Sequence, residues 1–311
     1  MQHLGEIIAL LVSVSWTFSA IFADRASHKI GSMSANVLRL SMAIVFLGVI
    51  LWIGIGHPYP VYADGQTWLW LALSAIVGYL FGDWCLFNCY LHIGARFGQL
   101  LMTLAPPIAA VTGWIMLGET LSWTSLVAMA VTLCGIAISI LSRTPDHKVV
   151  LSLPVKGVLL GIGAGAGQGI GLVLSKIGLE HYVSAIPADA PEAINDMLPF
   201  ASTMIRAIIG AAGFIAAMAI QKRLPDLRSA VRNKEGLRSV ALLTVFGPVL
   251  GVSLSLMAVR YTNAGVASTL MALSPVLILI PYAFIFKQKF KFKELIGVAV
   301  TMAGVALFFL L

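Results

Sequence analysis

Three charged side chains stand inside otherwise apolar stretches: Arg39, Asp83 and Arg206. An ion isolated in hydrocarbon is costly, so each must pair, reach water or face a cavity. Arginine in that setting can grip a carboxylate with two parallel hydrogen bonds, and aspartate can balance a cation or carry a proton. At ~1.5 Å of rise per residue, Arg39 lies about 9 Å inside a predicted helix over 33–55, and Asp83 about 12 Å from the end of one over 67–91. Both depths count from the same face. Coupling or gating is therefore assigned to Arg39 and Asp83, either as a structural ion pair or with Asp83 as a proton carrier; the plainer alternative is that Arg39 snorkels to interfacial water. Arg206 lies roughly 12 Å into a predicted helix over 198–221 from the opposite face, and no acid matches it, because Val252, Ser253 and Ser255 stand where a partner would. It either holds the carboxylate of a substrate or another anion, or anchors at the interface.

Other polar and aromatic residues fall at similar depth. Trp16, Thr17, Trp84, Asn88, Gln99, Gln168 and Ser253, together with Arg206, form the expected substrate-binding set. The aromatic surface of Trp16 and Trp84 suits amphipathic organic solutes better than bare ions, which favours carboxylate-bearing metabolites, amino acids among them. Cys85, Cys89 and His92 share a helix face at i, i+4 and i+7, and with a fourth ligand could hold a soft metal. Buried cysteines more commonly pack as small apolar residues, so no metal and no cofactor is expected.

Catalytic patterns are weak. No Gly-x-x-x-x-Gly-Lys-Ser/Thr loop exists to cradle ATP phosphates. The run from Gly161 to Gly171 superficially resembles a dinucleotide fingerprint, but it lies in an apolar helix with no strand before it. Its glycines instead form two ladders at four-residue spacing, which let helices approach closely in lipid. No histidine at membrane depth accompanies the many Ser and Thr residues, so no enzyme is expected.

The elements that position these residues are membrane helices. Apolar residues make up 59% of the 311 residues and charged ones 11%, and mean hydropathy is +0.95. A hydrocarbon core of ~30 Å needs about 20 apolar residues as helix. Ten such spans are predicted, over 4–24, 33–55, 67–91, 97–117, 121–141, 156–176, 198–221, 237–259, 264–286 and 292–311. Strands of a β-barrel would be shorter and would alternate in polarity. No cleavable signal peptide is expected, since Met1 leads almost directly into the first span. The expected class is an all-α polytopic protein of the cell membrane, with a bacterial inner membrane as its setting. Prolines 106, 107, 275 and 281 should interrupt helices locally.

The chain is also duplicated. At one constant offset Val131 to Ala137 matches Val300 to Ala306, Pro106 matches Pro275, Met102 matches Met271, Gly78 matches Gly247 and Gly82 matches Gly251. Nearer the start of each copy the offset changes, placing Gly5 on Gly157 and Arg39 on Arg206. Two five-helix repeats follow, over 1–145 and 146–311. An odd helix count makes the second copy enter from the other side, giving the inverted repeats typical of secondary transporters. Sixteen Lys and Arg lie in or beside the odd-numbered connections, against two (Lys176 and Arg260) in the even-numbered ones. The positive-inside rule then puts odd connections in the cytosol and both termini outside. The net charge of +7 reflects this asymmetry, so no nucleic-acid partner is expected.

In its ten-helix plan, its five-helix duplication, the Arg early in the second helix of each copy and the run Leu104-Ala-Pro-Pro ending in Gly118-Glu119, the chain resembles the EamA-type drug/metabolite transporters. The resemblance covers essentially the whole length. It implies a secondary exporter or exchanger of small organic molecules, embedded in the lipid bilayer; a non-transporting membrane partner subunit or a channel is the alternative. The resemblance also implies that helices 1–4 and 6–9 surround the pathway, while helices 5 and 10 brace it. The second copy carries Lys287-Gln288 where the first has Gly118-Glu119, so whatever Glu119 does is done once. Relatives in eukaryotic membranes are usually drawn with both termini cytosolic, whereas this chain's basic residues put them outside.

Overall fold

A computed structural model describes residues 3–141, 154–277 and 292–309. Helices α1 (Leu4–Ile30) and α2 (Ser32–Ile55) are separated by Gly31 alone. Helix α3 (Gly65–Ala75) is capped by Asp64, whose side chain accepts from the Thr67 amide. It runs into a π-helical segment, π1 (Ile76–Asp83), and then into α4 (Trp84–Met102), which kinks at Gly94. Helices α5 (Ala105–Leu117) and α6 (Trp123–Leu141) complete the first copy. The second copy comprises α7 (Val155–Ala185), α8 (Glu192–Ile220), a short α9 (Leu224–Arg232), and α10 (Lys234–Thr244) continuing through π2 (Val245–Val252) into α11 (Ser253–Tyr261). Then come α12 (Ala264–Met271), α13 (Ser274–Leu277) and α14 (Phe292–Phe309).

Among the described residues, seven helices are long and apolar enough to cross a membrane, and Trp123–Ser139 and Leu295–Phe309 are shorter apolar helices. The chain is a multi-pass membrane protein. The expected span over 264–286 is described only to residue 277, and Pro281, Gln288 and the lysines at 287, 289 and 291 lie outside the described residues. Most of the long spans exceed their sequence-predicted bounds, α7 most of all, because a helix continues past the apolar stretch while its backbone bonds stay paired.

The duplication appears in local irregularities as well as in sequence. π1 and π2 occupy matching positions, each containing the paired glycines, Gly78 and Gly82 or Gly247 and Gly251. Helices break at Thr103–Leu104 and again at the matching Ala272–Leu273. Pro106 and Pro107 stand in the first turn of α5, where no helical amide bond is forfeited. The predicted interruption is therefore a restart of the helix.

Packing crosses between the copies. π1 lies against α7, where a Cβ added to Gly167 would stand 2.6 Å from Gly82 Cα. π2 lies against α1, with Ser15 Oγ donating to the Phe246 carbonyl at 2.7 Å. Helices α6 and α14 pack on each other through Gly135, Gly297 and Gly304, whose missing side chains admit the backbones of Thr301, Ser139 and Thr132.

Candidate functional site

A cavity of about 110 Å³ lies between the two copies. One water needs roughly 10–15 Å³ by the same measure, so the space admits a small organic solute or several waters. Among the described residues its wall draws on α1, α2, π1, α4, α5, α7, α8, α10, π2, α11, α12 and α13, and on none of α6 or α14.

The charged centre is built around Tyr79. Arg39 on α2 pairs through Nη2 with Asp83 Oδ2 and donates from Nε to Asn36 Oδ1 at 2.9 Å. Asp83 Oδ1 accepts from Gln168 Nε2 at 2.7 Å, so both carboxylate oxygens are engaged. Arg39 also lies against the rings of Tyr79 and Phe87, its Cζ 5.3 and 5.2 Å from their centroids. Arg206 approaches the Tyr79 ring more closely, with Cζ 4.5 Å from the centroid, within cation–π range. Gly78 makes room for it, because a Cβ there would stand 3.1 Å from Arg206 Nη2.

Both arginines are only 4% exposed, which removes snorkelling as an account of either. Arg39 and Asp83 are paired, the first of the two arrangements the sequence leaves open for them. Arg206 lies near the middle of α8, deeper than a helix starting at 198 implied, because the helix begins at Glu192. Its buried Nε has no hydrogen-bond partner among the described residues, and neither has the buried Tyr79 hydroxyl. Unmet buried donors are uncommon and call for an acceptor. Among the described residues, the charged side chains of the wall are Arg39, Asp83 and Arg206, two cations against one anion.

Trp16, Gln99 and Gln168 line the cavity with these residues. Gln99 Nε2 donates to the Tyr90 hydroxyl, joining two wall residues. Four expected site residues do not line it. Trp84 is 38% exposed. Asn88 donates to the Trp84 carbonyl at 2.7 Å and accepts from Ser32. Thr17 bonds to the carbonyls of Ser13 and Ser274, and Ser253 to Thr203.

The reason is rotation about the helix. Trp84 follows Asp83 by about 100° and Asn88 lies about 140° round from it, while positions at i±3, i±4 and i+7 share its face. Tyr79, Leu86, Phe87 and Tyr90 hold those positions and line the cavity, as Ser19, Ala20 and Ala23 do relative to Trp16. Helical spacing from Asp83 and Trp16 was the signal that would have found them. Cys85 and Cys89 are buried free thiols, and no group of three or more potential metal ligands stands together among the described residues.

A second charged cluster lies at the far end of α5. Glu119 pairs through Oε1 with Lys176 on α7, while its Oε2 accepts from the Ala264 amide at 2.9 Å. Lys176 Nζ also donates to the Thr262 carbonyl at 3.1 Å, and Thr262 Oγ1 donates to Glu6 Oε1 at 2.8 Å. Sequence reading had left Glu119 without a role and Lys176 as a loop charge.

The EamA-like transporter family model matches residues 3–141 and again 155–310. Over 143 residues, 45% of this chain, the sequence is 28% identical to the Escherichia coli K12 protein named "Uncharacterized inner membrane transporter YhbE". The Shigella flexneri protein of the same name matches equally. The chain spans 43% of the length of these relatives. A crystal structure described only as "Crystal structure of protein" superposes over 100% of this chain and 98% of its own, with a TM-score of 0.69 at 14% identity, a likeness of fold alone. With the family pattern matched once in each copy, this chain belongs to the EamA-like transporter family.

Proposed function

We propose that this protein is a secondary transporter, an exporter or exchanger, of small organic metabolites that carry a carboxylate, amino acids or others among them. It works as ten spans in two inverted five-helix repeats, 1–145 and 146–311, in a bacterial inner membrane, with the odd-numbered connections cytosolic. The matched π segments, the matched helix breaks and the exchange of π1 onto α7 and π2 onto α1 support the repeat.

The observation that carries the substrate class is Arg206: buried, its Nε without an acceptor among the described residues, in a cavity wall whose described residues include two cations and one anion. A bound carboxylate would neutralise the excess charge and accept hydrogen bonds from the guanidinium, which a neutral solute of the same shape would do more weakly. Arg39 and Gln168 engage both carboxylate oxygens of Asp83 and so keep it from competing for Arg206. Trp16, Tyr79 and Gln99 offer aromatic surface and an amide to the rest of the solute. Alternating access then presents the loaded cavity to one side and the other in turn.

The test is counterflow in proteoliposomes, using N-acetylphenylalanine, its uncharged amide and free phenylalanine. The wild type should favour the two carboxylates over the amide. Arg206→Gln should lose that preference by about tenfold or more, the scale of a charge-assisted bond of ~1.5–3 kcal/mol, and Arg206→Lys should keep part of it. Wild-type preference in both variants would reduce Arg206 to a packing residue. Linear, non-saturating flux without exchange would point to a channel.

A further inference from the structure

The cavity extends unequally toward the two ends of the helices. Ala23, Leu86, Phe87, Tyr90, Met102 and Leu243 extend its wall toward the ends that carry the odd-numbered connections. Toward the even-numbered connections the wall extends to Ser255 on α11 and Ser268 on α12. Beyond Ser268 the helices close tightly: a Cβ on Gly265 would stand 2.9 Å from Ala110 Cβ. At the outer edge of this seal sits the Glu119 cluster.

We infer that Glu119 and Lys176 are a latch that holds the even-numbered end of the pathway shut, and that opening to that side requires them to part. Three features set this pair apart from an ordinary surface ion pair. Its side chains are each 12% exposed, so separation strands two poorly solvated charges. Its bonds run between the copies, from the loop after α5 to α7 and to the first amide of α12, where a helix start favours a carboxylate. Through the Thr262 carbonyl and Glu6 it also ties α11 and the start of α1. The contact therefore bridges the elements that must move apart if the two copies rock about the cavity.

The opposite end has no equivalent among the described residues. Its inter-copy pair, Lys29 with Glu235 at 2.7 Å, is 55% and 73% exposed, a class worth little. The duplication also fails to reproduce the latch in sequence. The register that places Pro106 on Pro275 puts Gln288 opposite Glu119, and the register that places Gly5 on Gly157 puts Asp24 opposite Lys176. Among the described residues a poorly exposed carboxylate–ammonium pair is thus built at one end only, and it biases the protein toward the state closed there.

The measurement is thiol accessibility, which needs no substrate and so stands apart from the transport assay. In a background with Cys85 and Cys89 replaced by alanine and Cys134 by serine, Ser268→Cys reports from the cavity wall. A membrane-impermeant maleimide is applied to each face of the membrane in turn. With the latch intact, labelling from the face of the 118–122 connection should be slow. Glu119→Gln and Lys176→Met should each raise that rate about tenfold, a shift of about 1.4 kcal/mol in the closed-to-open balance, and lower labelling from the other face. Lys176→Arg, which keeps the charge, should stay near the unmodified rate. Unchanged rates in both neutral variants would overturn the inference. So would a rise at both faces together, which is loosening rather than switching, or loss of both variants from the membrane, which would make the pair a folding element.

Discussion

Removing Asp83 should harm the protein more than removing Asp83 and Arg39 together. Among its described residues the wild-type cavity wall carries two cations and one anion. Asp83→Asn leaves two guanidinium groups, with Cζ atoms 5.3 and 4.5 Å from the same Tyr79 ring centroid, and no acid between them. Breaking a buried pair from one side costs about 3–5 kcal/mol, and here the pair's side chains are 5% and 8% exposed. Arg39→Gln leaves Asp83 still bonded to Gln168 and facing the positive Arg206, so its cost should be smaller. The double variant restores the wild-type excess of one positive charge and replaces an ion pair by two amides able to bond each other. Its deficit should be below the Asp83→Asn deficit by ~1–3 kcal/mol, the coupling expected of neighbours in one network. At roughly 2 °C or more per kcal/mol, thermal unfolding in detergent should show a loss of at least about 6 °C for Asp83→Asn and recover several degrees in the double variant. A double variant as unstable as Asp83→Asn would refute the pairing account. Normal expression of Asp83→Asn with normal, still pH-dependent transport would exclude both pairing and proton carriage by Asp83.

Two further outcomes follow from packing and charge. Gly167→Ala should destabilise by about 1–3 kcal/mol, because its Cβ would meet Gly82 Cα, backbone that cannot swing aside, whereas Gly163→Ala meets the Cys85 thiol at 3.1 Å and should cost less; equal melting temperatures would show that α7 and π1 can separate cheaply. Single cysteines placed in 222–238 should resist impermeant reagents added to intact cells and react after permeabilisation, and labelling from outside without permeabilisation would reverse the proposed orientation.

Much of the molecule is legible in one dimension. A helix in lipid must satisfy its own backbone, so length and apolarity alone announce most of the spans. The Arg39–Asp83 pair was foreseeable because depth along an axis is simply residue count times rise. The repeat was visible as matched glycines and prolines, and these residues mark the π segments and helix restarts of both copies. What the sequence left open is rotation and partnership. Nothing in the apolar runs states which face of α4 turns inward, so Trp84 and Asn88 looked as eligible as Phe87 and Tyr90, and Thr17 as eligible as Ser19. In lipid, no hydrophobic gradient orients a helix toward its neighbours; small-residue contacts and polar bonds do, and these depend on helices distant in the chain. Tyr79 between two arginines is a product of π1 meeting both α2 and α8. The Glu119–Lys176 contact likewise needs α5, α7 and α12 to converge at one end of the bundle, a convergence that only the packed tertiary structure creates.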